Sequence, residues 1–387
     1  MSTQAAVGGR GTTTIIPSGS QGRPLRLAVY ISTGIGVLCL PLVLDRLFLL
    51  SVTQALAVAI GAIGLNLLIG AANQLSLAHP FYMALGAYSY CVLASTHDSG
   101  ANAGLVAIGL PPIVAIVASV MLAGIAGLAL TPIAARLSGI YLAVSSIGLV
   151  FIGEHITLNA RSLTGGVNGR SAPSVEVGPF RFSDGASIGS VELDASAFRW
   201  YLVAICLCVG LLFGINLLRG RPGLALFAMR ERAAAAAVLG VEVGVYRAKL
   251  FMLSSMYAGL SGVLLAISLQ AVVPDLFGLG LVVTLVTISV VGGLSSVWGA
   301  VVGALVVMVG RDLIIHFSSS LPFIAQPGGG GLSAAEAATY VYGIVLVLCL
   351  LYLPSGIAGI TRKWRRDIES SLRRTDSRVG AAGEGQG

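Results

Sequence analysis

From Leu27 to Ala160 the chain carries only five unambiguous charges: Asp45, Arg46, Asp98, Arg136 and Glu154. A segment so long and so apolar cannot cover a water-facing surface, whereas one membrane crossing needs roughly 20 predominantly apolar residues. The whole chain follows suit. Of its 387 residues 10% are charged and 56% are apolar, against about 25% charged in soluble domains. The fold class this dictates is all-α and polytopic, because a helix satisfies its backbone polar groups within its own segment. One membrane domain with short loops is expected over residues 27–360, between a polar N-tail (1–26) read as disordered and a basic C-tail (361–387).

Apolar runs predict ten transmembrane helices, near 27–44, 48–70, 78–95, 105–130, 140–160, 200–218, 250–269, 280–292, 299–317 and 339–354. The first run ends at Leu44-Asp45-Arg46 without a small-x-small cleavage site, so it reads as a membrane helix rather than a signal peptide. The eighth is short, and Gly292-Gly293-Leu294-Ser295-Ser296 after it suits a re-entrant or discontinuous helix. Placing the N-terminus inside puts most of the Lys and Arg on the inner side: the N-tail, Arg136, the segment from Arg219 to Lys249, and the C-tail from Arg362 to Arg378. Arg46, Arg161, Arg170, Arg181, Arg199 and Arg311 fall outside. That bias obeys the positive-inside rule, and an even helix count puts both termini in the cytoplasm. The expected location is the inner (plasma) membrane.

The net charge of +7 is not a nucleic-acid signal, since no basic stretch is interleaved with stacking aromatics. Anionic lipid is the plainer partner. The five cysteines lie inside apolar runs without CxxC spacing and read as small, reduced hydrophobes. His79, His97, His155 and His316 are scattered, with no HExxH, so no metal site and no cofactor are expected. Neither a Ser/His/Asp order nor a carboxylate pair stands out. The two lysines, Lys249 and Lys363, do not follow a Gly-rich turn, so the chain has no P-loop and is not expected to be an enzyme. Gly328-Gly329-Gly330-Gly331 reads as a flexible outer loop. The 51 glycines are about twice the usual share of roughly 7%; small residues let membrane helices approach closely, as in Gly299-x-x-x-Gly303.

Two features suggest function. Glu154 lies in the outer half of the fifth helix, where an ionisable residue is a functional candidate by default; the alternative is an interfacial residue near the helix end. The long inner loop, 219–249, reads RGRPGLALFAMRERAAAAAVLGVEVGVYRAK. Pro222-Gly223 breaks the preceding helix, Leu224–Leu239 is expected to be helical, and Gly240 suits its C-terminal stop. A helix of small residues presents a smooth ridge that can seat in a partner's groove.

The stretch from Gly223 through Ala228, Arg230-Glu231, Ala235-Ala236 and Leu239-Gly240-Val241 to Tyr246 resembles the coupling loop of branched-chain amino-acid ABC transporter permeases. Three further stretches are similar to the same family, in the same order. They are Gly64–Gly70 leading through Gln74-Leu75-Ser76-Leu77-x-His79 to Gly86-Ala87-Tyr88, then Leu163-Thr164-Gly165-Gly166-x-Asn168-Gly169, and Pro354-Ser355-Gly356. Together they span about residues 55 to 360. The sequence departs from the family at Asn73 and Ala78, where glycines are usual, and at Ala233 and Ala237, where acidic residues are common.

The resemblance implies a ten-helix permease that works by alternating access, beside a second permease subunit, two cytoplasmic ATPases and an extracytoplasmic solute-binding protein. It implies ATPase coupling through Gly223, Arg230, Glu231, Ala235, Ala236, Leu239 and Gly240. Asn66, Gln74 and Glu154 are the candidates for the translocation path. The outer stretch 161–199 reads either as a docking surface for the binding protein or as a solvated loop. Branched-chain amino acids lead as substrate; urea, amides or another small solute are the alternatives within the class. An ion-coupled secondary transporter is the rival class, and a membrane enzyme a poorer one.

Overall fold

The computed structural model describes residues 40–41, 44–96, 104–137, 139–177, 180–181, 186–188, 191–193, 195–294 and 296–317, with single positions 340, 343, 344, 347, 351, 356 and 359. The first and tenth expected helices lie almost wholly outside the described residues, as do the Gly328–Gly331 run and both tails.

The described chain runs α1 (Arg46–Ala72), α2 (His79–Ala94), α3 (Pro112–Arg136), α4 (Ile140–Asn159) and the single turn α5 (Arg161–Thr164). A 3-10 turn at Gly166–Asn168 and five short strands follow: β1 (Arg170–Ser171), β2 (Glu176–Val177), β3 (Phe180–Arg181), β4 (Ala186–Ile188) and β5 (Val191–Leu193). Then come α6 (Ala195–Arg219), α7 (Arg221–Val238), α8 (Val243–Leu269), β6 (Ala271–Val272), a 3-10 turn at Pro274–Phe277, and α9 (Leu279–Gly292). Last are α10 (Val297–Ala304), a π-helical turn at Leu305–Val309, and α11 (Gly310–Phe317).

Six of these segments are long and apolar enough to cross a membrane. Each expected helix within the described residues is present, with three boundaries corrected. The fourth begins at Pro112 rather than 105. Pro111-Pro112 dictates this, because proline fits the first helical turn and forces the residue before it out of the helical region. The extended residues ahead of it are tied by Val106 N–H to the Ser162 carbonyl and by Leu110 N–H to that of Leu93. The stretch 161–199 is shorter as a loop than expected, since α6 already starts at Ala195. Likewise α8 starts at Val243, inside the expected inner loop.

Helices apolar on every face carry no stripe to say which side packs inward. Their burial separates them nonetheless. The most apolar window of α1 is 89% buried and that of α8 78%, against 28% in α3 and 33% in α4 and α6. The core is therefore α1 and α8, with α2 packed against α8; α3 also packs along α8 but keeps most of its surface outward, so it belongs with the other helices to the rim. Close approach makes this possible: a Cβ on Gly86 of α2 would run into the backbone of Gly259 on α8. Buried polar groups cross-link the same helices. The Ser254 hydroxyl donates to the Gly64 carbonyl at 2.8 Å and lies 2.9 Å from His79 Nε2, and Ser261 donates to Ala57 O at 2.7 Å. With the Ser254 proton committed to Gly64, the imidazole must be the donor to Ser254. This histidine is a structural cross-link among α1, α2 and α8.

Candidate translocation path and coupling segment

The Gly292–Ser296 break is a reversal of the chain. A Cβ on Gly299 would strike the Gly292 backbone, and one on Gly303 would strike Ile288 O and the Gly292 amide. Advancing on α10 thus retreats on α9, so the two helices form an antiparallel hairpin with glycines at the crossing. Gly293 adopts φ 104, and the Ser296 hydroxyl caps α10 by accepting from the Gly299 amide at 3.0 Å. The expected Gly299-x-x-x-Gly303 contact is this crossing.

Asn66 of α1, 3% exposed, holds the reversal. Its Nδ2 donates to the carbonyls of Gly293 at 3.3 Å and Ser296 at 3.0 Å. Gly356, from the last family-like motif, lies against the same turn: a Cβ on it would meet Gly293 Cα at 2.6 Å. Two motifs remote in sequence thus converge on one backbone reversal. Glu154 sits at the other end of α9. It is half-buried, and its Oε2 lies 3.9 Å from where a Cβ on Gly278, the residue capping α9, would stand. Fourteen helical residues separate the two caps, about 21 Å at 1.5 Å per residue. Gln74, 9% exposed, lies in the α1–α2 connection, and its Oε1 has no hydrogen-bond partner among the described residues. Asn66, Gln74 and Glu154 are not brought together; Asn66 and Glu154 bracket α9.

The segment expected to be one helix over Leu224–Leu239 is helical from Arg221 to Val238 but bent at Arg232, whose backbone is extended (φ −151, ψ 98). Gly223 is buried at its start, where a Cβ would strike the carbonyl of Leu218 in the last turn of α6. Arg230 reaches back to α1, its Nη1 donating to the Gly70 carbonyl at 2.7 Å. That carbonyl belongs to the C-terminal turn of α1, where the helix dipole favours a cation. Glu231 is exposed. Beyond the bend Ala236 is buried and Ala235 exposed, while Val238 and Leu239 are 87% and 82% exposed. Gly240, at φ 87, ends the helix.

The Leu163–Gly169 motif is a fold lock rather than an open loop. Thr164 Oγ1 donates to Thr157 O at 2.6 Å and accepts from the Gly166 amide at 3.1 Å. Gly165, Gly166 and Gly169 all have positive φ, which only glycine adopts freely. Arg170, 2% exposed, donates from Nη1 to Leu163 O at 2.9 Å, and burial lowers its pKa from the ordinary arginine value. β1 pairs antiparallel with β6, stitching this lock to the end of α8.

Residues 47–350 match the model of the branched-chain amino acid transport system permease component. The chain belongs to this permease family. The permease is 29% identical to the high-affinity branched-chain amino acid transport permease LivM of Escherichia coli K12 over 313 residues, 78% of this chain and 67% of LivM. It is 28% identical to LivM of Salmonella typhimurium over 323 residues, 80% of this chain and 69% of that relative. LivH of Escherichia coli K12 is 25% identical over 316 residues, 80% of this chain and 93% of LivH. No solved structure gives a significant match. The permease is a multi-pass protein of the inner membrane.

Among the departures from the family pattern, Asn73 has φ 53 as the C-cap of α1. It occupies the left-handed conformation that glycine takes freely and asparagine tolerates best among other residues. Ala78 has φ −79, where no glycine is required. Sequence reasoning did not single out Val238, the most exposed apolar residue of α7. Its signal was there: a β-branched residue closing an alanine run just before Leu239.

Proposed function

We propose that this permease is one of two related membrane subunits of an ATP-driven importer for branched-chain amino acids. It has ten transmembrane helices and both termini in the cytoplasm. An extracytoplasmic binding protein delivers substrate, and two cytoplasmic ATPases drive alternating access. The chain itself binds no nucleotide and catalyses no covalent step. The family match over residues 47–350 carries this reading, together with the LivM relatives, which are named for high-affinity branched-chain amino acid transport.

The geometry supports a route for coupling. The ATPase grips the α7 tip at Ala235, Val238 and Leu239, while Gly223 and Gly240 bound the segment. Movement of α7 passes through Arg230 to Gly70 at the end of α1. One helical turn earlier on α1, Asn66 holds the α9–α10 reversal. The coupling segment and the broken hairpin thus hang from adjacent turns of one buried helix. Packed elements with discrete arrangements are what carry coupling between sites. In this reading α9, bracketed by Glu154 and Asn66, lines the path, with Gln74 near its inner end.

Reconstitution tests the function. In proteoliposomes holding both permeases, the ATPases and the binding protein, leucine accumulates only with ATP on the ATPase side. Uptake driven by an ion gradient without ATP overturns the class, and ATP-dependent uptake of urea but not leucine overturns the substrate.

Topology is tested in a variant lacking the native cysteines. A membrane-impermeant thiol reagent added to intact cells labels Asn168→Cys and spares Ser371→Cys. Labelling of the second alone refutes the orientation, and equal labelling of both refutes the even helix count.

A further inference from the structure

The end of α9 away from its reversal gathers polar groups from three elements. Beside Gly278, which caps α9, the place where a Cβ would stand is flanked by Asp275 O at 3.7 Å and Glu154 Oε2 at 3.9 Å. Glu154 comes from α4, and the 3-10 turn Pro274–Phe277 that brings Asp275 packs against both α4 and α2. From α2 comes Tyr88. Its ring lies 6.3 Å from that of Phe277, and its hydroxyl is within electrostatic reach of the Asp275 carboxylate.

Tyr88 shows that this corner is built for more than packing. It is only 6% exposed, yet its hydroxyl has no hydrogen-bond partner among the described residues. A hydroxyl buried unpaired is costly, and phenylalanine would fill the same space without it. The carboxylates lack a partner in the same way: neither Glu154 nor Asp275 is ion-paired among the described residues. The stretches outside them between residues 42 and 339 contain no lysine or arginine. The N-terminus of α9 supplies about half a positive charge, which two carboxylates outweigh. Glu154 is half-buried and Asp275 exposed, so a solute can reach the corner.

We infer that this corner holds the ammonium group of the transported amino acid at the outer end of the path. The inference rests on the branched-chain amino acid reading given above. An ammonium has three donors and no acceptor, and the corner meets it with Glu154, Asp275 and the Tyr88 oxygen. The space beside Gly278 receives its nitrogen. The amides that open α9 have no partner within the helix and suit the carboxylate of the same zwitterion. Urea and amides carry no charge for Glu154 to meet, so the corner selects amino acids against them.

The test uses the reconstituted importer, with leucine and saturating binding protein. Glu154→Gln keeps the shape and removes the charge. It lowers ATP-dependent leucine uptake at least about tenfold, the effect of one lost charge-assisted hydrogen bond, and Glu154→Asp recovers part of the loss. Gly278→Ala also lowers uptake, by filling the space; at φ −78, with 3.7 and 3.9 Å to Asp275 O and Glu154 Oε2, the backbone accepts alanine without strain. Tyr88→Phe lowers uptake a few-fold but leaves the thermal midpoint unchanged or higher, because the lost hydroxyl had no partner. Undiminished uptake in Glu154→Gln or in Gly278→Ala overturns the inference, as does a lowered midpoint accompanying the loss in Tyr88→Phe. An unaltered importer that accumulates no leucine overturns the substrate reading instead, so the two failures are told apart.

Discussion

Asn66 Nδ2 lies 3.3 Å from the carbonyl oxygen of Gly293, 227 positions further along the chain. The same amide also binds Ser296 O, so one side chain satisfies two carbonyls at a break where the helix ladder cannot. In a membrane no water stands ready to replace it. Asn66→Ala is expected to destabilise the permease by about 1–3 kcal/mol, from two hydrogen bonds at roughly 0.5–1.5 kcal/mol each. The loss reads as a lower thermal-inactivation midpoint and faster proteolysis at the Gly293 turn. An unchanged midpoint would show that the reversal holds itself.

Asn73 offers a test of backbone conformation alone. At φ 53, Asn73→Gly is expected to leave stability within a few tenths of a kcal/mol, because glycine enters this region without strain. Asn73→Val is expected to cost about 1–2 kcal/mol, the penalty of the left-handed conformation. Equal thermal midpoints for the two variants would contradict the assigned cap.

Ala235 and Ala236 separate partner contact from internal packing. Ala236 is 2% exposed within the chain itself, so Ala236→Arg overpacks the permease and lowers its level in the membrane; overpacking typically costs about 1–3 kcal/mol. Ala235 is exposed, and Ala235→Arg is expected to leave the level normal while weakening ATPase association and uptake. The helix tolerates both changes, since arginine has nearly alanine's propensity. Normal transport by Ala235→Arg with the ATPase bound would remove this face of α7 from the coupling contact.

Much of this was legible in the residues. The Gly292–Ser296 run announced a broken helix, because two adjacent glycines and two serines cannot continue an apolar one. Gly240 announced the end of α7, and it is there, at φ 87. The bend at Arg232 was not legible: Arg and its neighbours Glu231 and Ala233 are good helix formers, and the bend breaks their local preference. Asn66, Gln74 and Glu154 were grouped as path candidates because each is polar in apolar surroundings. That criterion cannot say where such a residue points, and Asn66 proves to spend both amide protons on Gly293 and Ser296.

By itself the sequence determined the solvent. A chain charged at only 10% of its positions must bury its backbone in helices and its side chains in lipid or protein, and its family-like motifs narrowed it to one kind of permease. The tertiary structure decided which helices are core and which residues meet. α1 and α3 are comparably apolar, yet one is enclosed and the other lies on the rim. Hydrophobicity cannot choose between them, because lipid is as apolar as a protein interior. The choice falls to close packing and shared hydrogen bonds among groups far apart in the chain, such as Gly86 against Gly259 and Ser254 between Gly64 and His79.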